Sequence, residues 1–203
     1  MSPLAGDTQC PQTQPDTRTH TTKTEHANES EHGTRLLVTT AHQWLHTTTG
    51  RITTDPHSWM TAVHWVTEQT AKGHYTPARR QGPKWGPTTV AVAQEIAALK
   101  ECRPGIDYLA RKLKVSVRTV KYHLGMLRET GLLVYRSKGT RLRGEGNRAS
   151  VFERTIPAAF DAAFGIRTVG EGATRRPVGA APESRTLLGK LARKAARKAR
   201  RPR

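Results

Sequence analysis

The chain has 203 residues, 35% of them hydrophobic, and carries 34 basic against 16 acidic side chains for a formal charge of +18. Such a field attracts polyanions, nucleic acid or an anionic membrane first, and bears on partners rather than on fold. No apolar run reaches the roughly 18 residues of a membrane span, the N-terminus lacks the charged-then-apolar order of a signal peptide, and Cys10 and Cys102 alone make neither a disulfide framework nor a zinc site, which points to a cytoplasmic protein.

The charge is uneven. Residues 1–33 hold five acids and two bases, Arg79 to Arg154 hold 17 bases against 6 acids, and Arg167 to Arg203 hold 12 against 2. The positive field therefore belongs to the second half of the chain.

Residues 1–33, rich in Thr, Gln, His, Pro and Asp, have almost nothing apolar to bury and read as a disordered tail. A helical segment is expected over 34–76. Leu37, Ala41, Trp44 and Leu45 recur at helical spacing, and a second helix opens at Asp55-Pro56, stops at Gly73, and carries Trp59, Val63, Val66 and Thr70 on one face. His42 and His46 lie four apart on the first of these, a metal-compatible spacing, but no cysteine or paired carboxylate accompanies them and exposed or capping histidines are the better reading. Residues 77–87, broken by Pro77, Pro83 and Pro87, read as a linker. Trp85 lies there near Arg79, Arg80 and Lys84, and contact with a nucleic-acid backbone is one role open to it.

From 88 the pattern is denser. Thr88 or Thr89 caps a helix with Val92, Ile96 and Leu99 as its apolar stripe. Further helices are expected from about Gly105 to Lys114 and from about Ser116 to Thr130, closed by Gly131. "LLVYRSK" and "RASVFERTI" read as strands that pair across a Gly-rich turn. A short helix falls within 157–169. Residues 170–203 return to Gly, Pro and Arg and end in "GKLARKAARKARRPR", with eight bases in fifteen residues. Leu188, Leu191, Ala195 and Ala199 give that end a thin apolar strip, and like-charge repulsion is expected to keep it disordered until it meets DNA.

In order, 88–156 reads helix, helix, tight turn, helix, strand, wing, strand. With Ala110 at the helix crossing, Leu109 and Leu113 facing inward, Val115 in the turn and Val120, Leu124 and Leu127 as the next buried stripe, the segment resembles the winged helix-turn-helix family. "SVRTVKYHLGMLRETGLL" is especially similar to small bacterial repressor domains. The family often has Gly at the turn position that Lys114 occupies, so the turn departs from the pattern there. "GHYTPARR", "VAVAQE" and "IRTVGEG" are also similar to helix-turn-helix proteins of plasmids and integrative elements in high-GC bacteria.

The resemblance implies a mainly α fold with a small β-hairpin wing, flanked by the N-terminal helical segment and disordered tails. It also implies a nucleoid-associated protein whose partner is double-stranded DNA. Removing the buried stripe from the third helix leaves Val117, Arg118, Lys121, Tyr122 and Gly125 outward, with Ser116 as cap and Thr119 in reach of a phosphate. Arg118 suits a bidentate contact to guanine, and Gly125, costly in mid-helix, suggests that something approaches closely. Lys138, Arg141, Arg143 and Arg148 make the wing basic, as phosphate or minor-groove contacts require. His123 is expected to be packed or interfacial. A regulator of transcription is the first functional expectation. A replication or maintenance protein of a mobile element, with 34–76 as its partner-docking or dimerising part, and an architectural DNA-binding protein are the alternatives. Nothing in the sequence looks catalytic, and no metal or cofactor is implied.

Overall fold

The computed structural model describes residues 36–142 and 146–199. The expected N-terminal tail over 1–33, Arg143 and residues 200–203 lie outside them.

The first long helix, α1 (Pro56–Ala71), starts as its sequence predicts. The Asp55 carboxylate accepts from the amides of His57 (3.2 Å) and Ser58 (2.8 Å), and Pro56 stands at the first position, where no amide partner is needed. The Ser58 hydrogen bond holds that carboxyl below its ordinary range. Upstream, the helical spacing of Leu37, Ala41, Trp44 and Leu45 does not become a helix. One 3-10 turn forms over Thr40–Gln43, a two-residue strand β1 follows (Arg51–Ile52), and the Leu45 amide donates to the Tyr135 carbonyl at 2.9 Å. Weak helix propensity in this Thr-rich stretch gives way to bonding with a strand edge.

Three helices come next: α2 (Pro87–Ala97), α3 (Ile106–Leu113) and α4 (Val117–Glu129). Gly86, not Thr88 or Thr89, caps α2; Thr89 sits in the first turn, where its hydroxyl accepts from the Gly86 amide at 3.2 Å. Lys114 ends α3 in the left-handed region (φ 54°, ψ 42°), and the Val115 amide closes on the Ala110 carbonyl at 3.0 Å. Ser116 caps α4 by accepting from the Thr119 amide at 3.0 Å, and Gly131 (φ +71°) turns the chain into the sheet.

β2 (Leu133–Ser137) pairs antiparallel with β5 (Val151–Ile156), in a register that sets Tyr135 opposite Phe152. The hairpin between them carries a short ribbon of β3 (Arg141–Leu142) and β4 (Gly146–Asn147). β1 joins the far side of β5, giving the order β1-β5-β2. α5 (Ala158–Ala163), the ribbon β6 (Ile166–Val169) and β7 (Arg176–Ala180), and α6 (Pro182–Ala199) complete the chain. The described residues are thus α+β, six helices with a small antiparallel sheet and two ribbons, and hold more strand than the sequence suggested.

One apolar cluster unites these elements. Trp59, Val63 and Val66 of α1, Val92 and Ile96 of α2, Leu109 of α3, and Val120 and Leu127 of α4 are all essentially inaccessible, as are Leu132, Leu133 and Ile156. Burial of that kind contributes roughly 1.5–3 kcal/mol for each large side chain. The Trp59 indole N–H also donates to the Leu132 carbonyl at 2.8 Å, so its polar atom is satisfied inside the core. α1 is therefore the centre of the fold rather than a separate segment.

α1 is buried on both sides, and the second cover corrects the expectation of a disordered tail. Phe160 of α5 meets Trp65 edge-on at 5.4 Å between ring centroids. Leu191 and Ala195 of α6 are buried, Leu188 packs against the core, and Lys194 pairs with Glu68 of α1 at 2.6 Å. Burial of that stripe offsets the like-charge repulsion along α6. Asp161 of α5 takes the Arg51 Nε at 3.0 Å on both oxygens, tying α5 to β1, and its burial raises the carboxyl against the lowering effect of Arg51. Buried Arg154 donates to the carbonyls of Ala97 (2.9 Å) and Thr54 (3.4 Å), fixing the end of α2 to the entry of α1.

Candidate nucleic-acid interface

α4 has a buried face and a polar edge. Val120, His123, Leu124, Met126 and Leu127 face the core. Ser116, Val117, Arg118 and Lys121 are exposed, while Thr119 and Tyr122 are half-buried. The Ser116 and Thr119 hydroxyls lie 2.8 Å apart and share a hydrogen bond, so both are used in the helix cap.

Arg118 and Tyr122 act as one unit. The Arg118 Nε donates to the Tyr122 hydroxyl at 2.9 Å, and the guanidinium lies 5.7 Å from the ring centroid. A second guanidinium, that of Arg79 in the 77–87 segment, lies over the same ring at 5.3 Å. The Arg118 hydrogen bond, with both positive charges, draws the Tyr122 phenol below its ordinary value. Because Arg118 spends only Nε on this bond, its two terminal nitrogens remain for a planar acceptor pair.

Lys138 and Arg148 are exposed on the β2–β5 hairpin. With Val117 and Lys121 of α4 and the start of α3 they line a cleft of about 730 Å³. Arg141 belongs to β3, paired with Asn147, and Arg143 lies outside the described residues. Of the predicted residues, Val117, Lys121, Lys138 and Arg148 line this cleft together, while Arg118 and Tyr122 pair with each other on α4 and Ser116 and Thr119 pair in its cap.

The other positions singled out in the sequence resolve one by one. Nothing within the fold approaches Gly125: a Cβ there would meet only the Arg128 guanidinium at 3.9 Å. Trp85 is half-buried: it meets Tyr75 edge-on at 5.9 Å between ring centroids and donates its indole N–H to the Thr67 hydroxyl at 3.1 Å. His42 sits in the 3-10 turn and His46 beside Trp44, so the helix that would have set them on one face does not exist. Among the described residues no group of three or more His, Cys, Asp and Glu is placed to hold a metal ion. His123 is packed, with Nδ1 2.9 Å from the Thr89 hydroxyl, and burial lowers its pKa. Burial pushes the Cys102 thiol up to about 12, which makes it an unreactive core residue. Among the described residues no helix is long and apolar enough to cross a membrane.

Sequence reasoning missed the position of Arg79. The basic loop "ARRQGPKWG" is visible in the chain, but only the fold brings it to the α4 edge. No protein-family model matches the chain, and neither a curated protein nor a solved structure matches it.

Proposed function

We propose that residues 88–156 form a winged helix-turn-helix that reads double-stranded DNA, and that the protein regulates transcription by occupying its site. In this reading α2, α3 and α4 are the three helices, Lys114 and Val115 the turn, α4 the helix in the major groove, and the β2–β5 hairpin the wing. The observation that carries it is the Arg118–Tyr122 unit on the exposed edge of α4, continued by Lys121, Lys138 and Arg148. A helix needed only for packing has no use for a guanidinium pre-oriented on its solvent edge. Arg118 supplies a fork suited to the O6 and N7 atoms of guanine, while the hairpin cations engage phosphates and set the register.

The protein acts by binding, with no chemical step. Selection of bound duplexes from a random pool at about 150 mM salt tests this, since the non-specific electrostatic part of binding falls steeply with salt. Enrichment of one short palindrome is the expected result and supports the regulator. An array of repeats would reassign the protein to replication initiation or maintenance of a mobile element. Absence of any enriched sequence would remove site-specific reading and leave an architectural role.

A further inference from the structure

The 77–85 loop is built against the exposed edge of α4, and we propose that the groove between the two seats one sugar-phosphate strand of the bound duplex. The proposal rests on the DNA-binding reading of α4 and adds a contact on the side away from the hairpin.

The loop is anchored rather than slack. The Tyr75 hydroxyl donates to the Glu129 carboxylate at 2.7 Å, the Ala78 amide donates to the same oxygen at 3.1 Å, and the Trp85 indole reaches Thr67 at 3.1 Å. Between these fixed points the Arg79 guanidinium lies over Tyr122, and Gly82 passes so close that a Cβ would touch the same ring at 3.7 Å. The result is a groove of about 390 Å³ with Arg79 and Gly82 on one wall and Lys121, Tyr122 and Gly125 on the other.

Its chemistry suits a phosphodiester strand. Arg79 and Lys121 supply charge at the rim, and Arg128 also lines the groove. The one acid in the wall, Glu129, already accepts two hydrogen bonds from the loop. Glycine is a poor helix former, and no left-handed angle or close neighbour within the fold requires it at 125. A bare patch of helix backbone between flanking cations is explained by what comes from outside: a strand whose sugar and phosphate need that space. Lys121 and Tyr122 belong to both this groove and the reading edge, so a duplex on one meets the other.

Fluorescence anisotropy on the full chain, with a selected duplex and a random one across a salt series, tests the proposal. Arg79→Ala should weaken both duplexes and lower the salt slope by about one, as loss of one phosphate contact requires. Gly125→Ala should melt no lower than wild type, and Gly125→Leu should weaken both duplexes about tenfold by filling the strand's place. Arg118→Ala and Arg148→Ala are the comparison. If these two lose affinity while the Arg79 and Gly125 variants bind as wild type, the groove holds no strand and the reading of α4 stands. If all four sites tolerate substitution, the groove and the DNA-binding reading fall together. Arg79→Ala lies in a loop, so it decides the matter even where leucine at 125 disturbs the helix.

Discussion

The Arg118 Nε donates to the Tyr122 hydroxyl at 2.9 Å, one turn along α4, so the side chain proposed to read a base is held in place by a neighbour on the same edge. Holding the guanidinium before binding lowers the ordering cost on contact. Arg118→Ala should therefore cost about 1–3 kcal/mol on the preferred duplex and relax base selectivity. Tyr122→Phe keeps the ring under both guanidiniums and removes only the acceptor, so it should weaken the preferred duplex by about threefold and the random one less. Titration of both variants against both duplexes checks this. Equal losses of Arg118→Ala on preferred and random DNA would place base reading elsewhere.

Lys114 adopts φ 54° and ψ 42°, a region in which a Cβ costs roughly 1–2 kcal/mol. Glycine removes that cost but loses more chain entropy on folding, so Lys114→Gly should stabilise the protein by a net of about 0.5–1 kcal/mol. The urea midpoint should move up with an unchanged slope. A lower midpoint would mean that the lysine side chain makes a compensating contact.

The turn at Lys114 shows what was legible in the chain and what was not. Local chemistry carried far: Asp55-Pro56, Ser116 and Gly131 set element ends through hydrogen bonds and backbone angles that neighbouring residues decide. The stripe of Val120, Leu124 and Leu127 likewise separated the core face of α4 from its polar edge. Expectations failed where a distant partner outweighed local pattern. Trp44 left its helical spacing for a bridge to Tyr135. The basic tail folded because α1 needed covering on its second side. The signal was present in "WMTAVHWV": a helix apolar around most of its circumference is buried all round, which demands two covers. The Arg79–Tyr122 contact had no such signal, since a loop's placement depends on anchors such as Glu129 that are more than forty residues away in sequence.

His123 makes folding stability depend on pH. Its pKa is lowered from 6.5 by burial, so the unfolded chain takes up the proton first as pH falls. Its stabilising contribution is complete above the unfolded value and is lost as pH falls through 6.5 toward the folded one. Wild type should lose more stability between about pH 7.5 and about pH 5.5 than His123→Gln, which starts lower because the contact with Thr89 is altered. Asp161, raised by burial, works in the opposite sense, but it is common to both proteins and cancels in the difference. Parallel pH profiles for the two proteins would show that His123 does not titrate in this range.

α6 separates the structural and electrostatic roles of the basic end of the chain. Leu188, Leu191 and Ala195 form the stripe toward the core, and Lys194 is paired with Glu68, while Lys190, Arg193 and Arg197 are exposed. Truncation after Gly170 would strip a cover from α1 and confound loss of charge with loss of fold. The triple variant Lys190→Gln, Arg193→Gln, Arg197→Gln leaves the stripe and the Glu68 pair in place, and exposed substitutions of this kind usually cost less than about 0.5 kcal/mol each. Random-duplex affinity should fall and the salt slope should shrink by up to about three, with the ratio of preferred to random binding retained. The ratio matters most here, because counterion release carries no base sequence. Collapse of the ratio with stability unchanged would move base reading from α4 to α6. An unchanged salt slope would leave α6 as a cover for α1 alone, its exposed cations solvated and without a polyanion to meet.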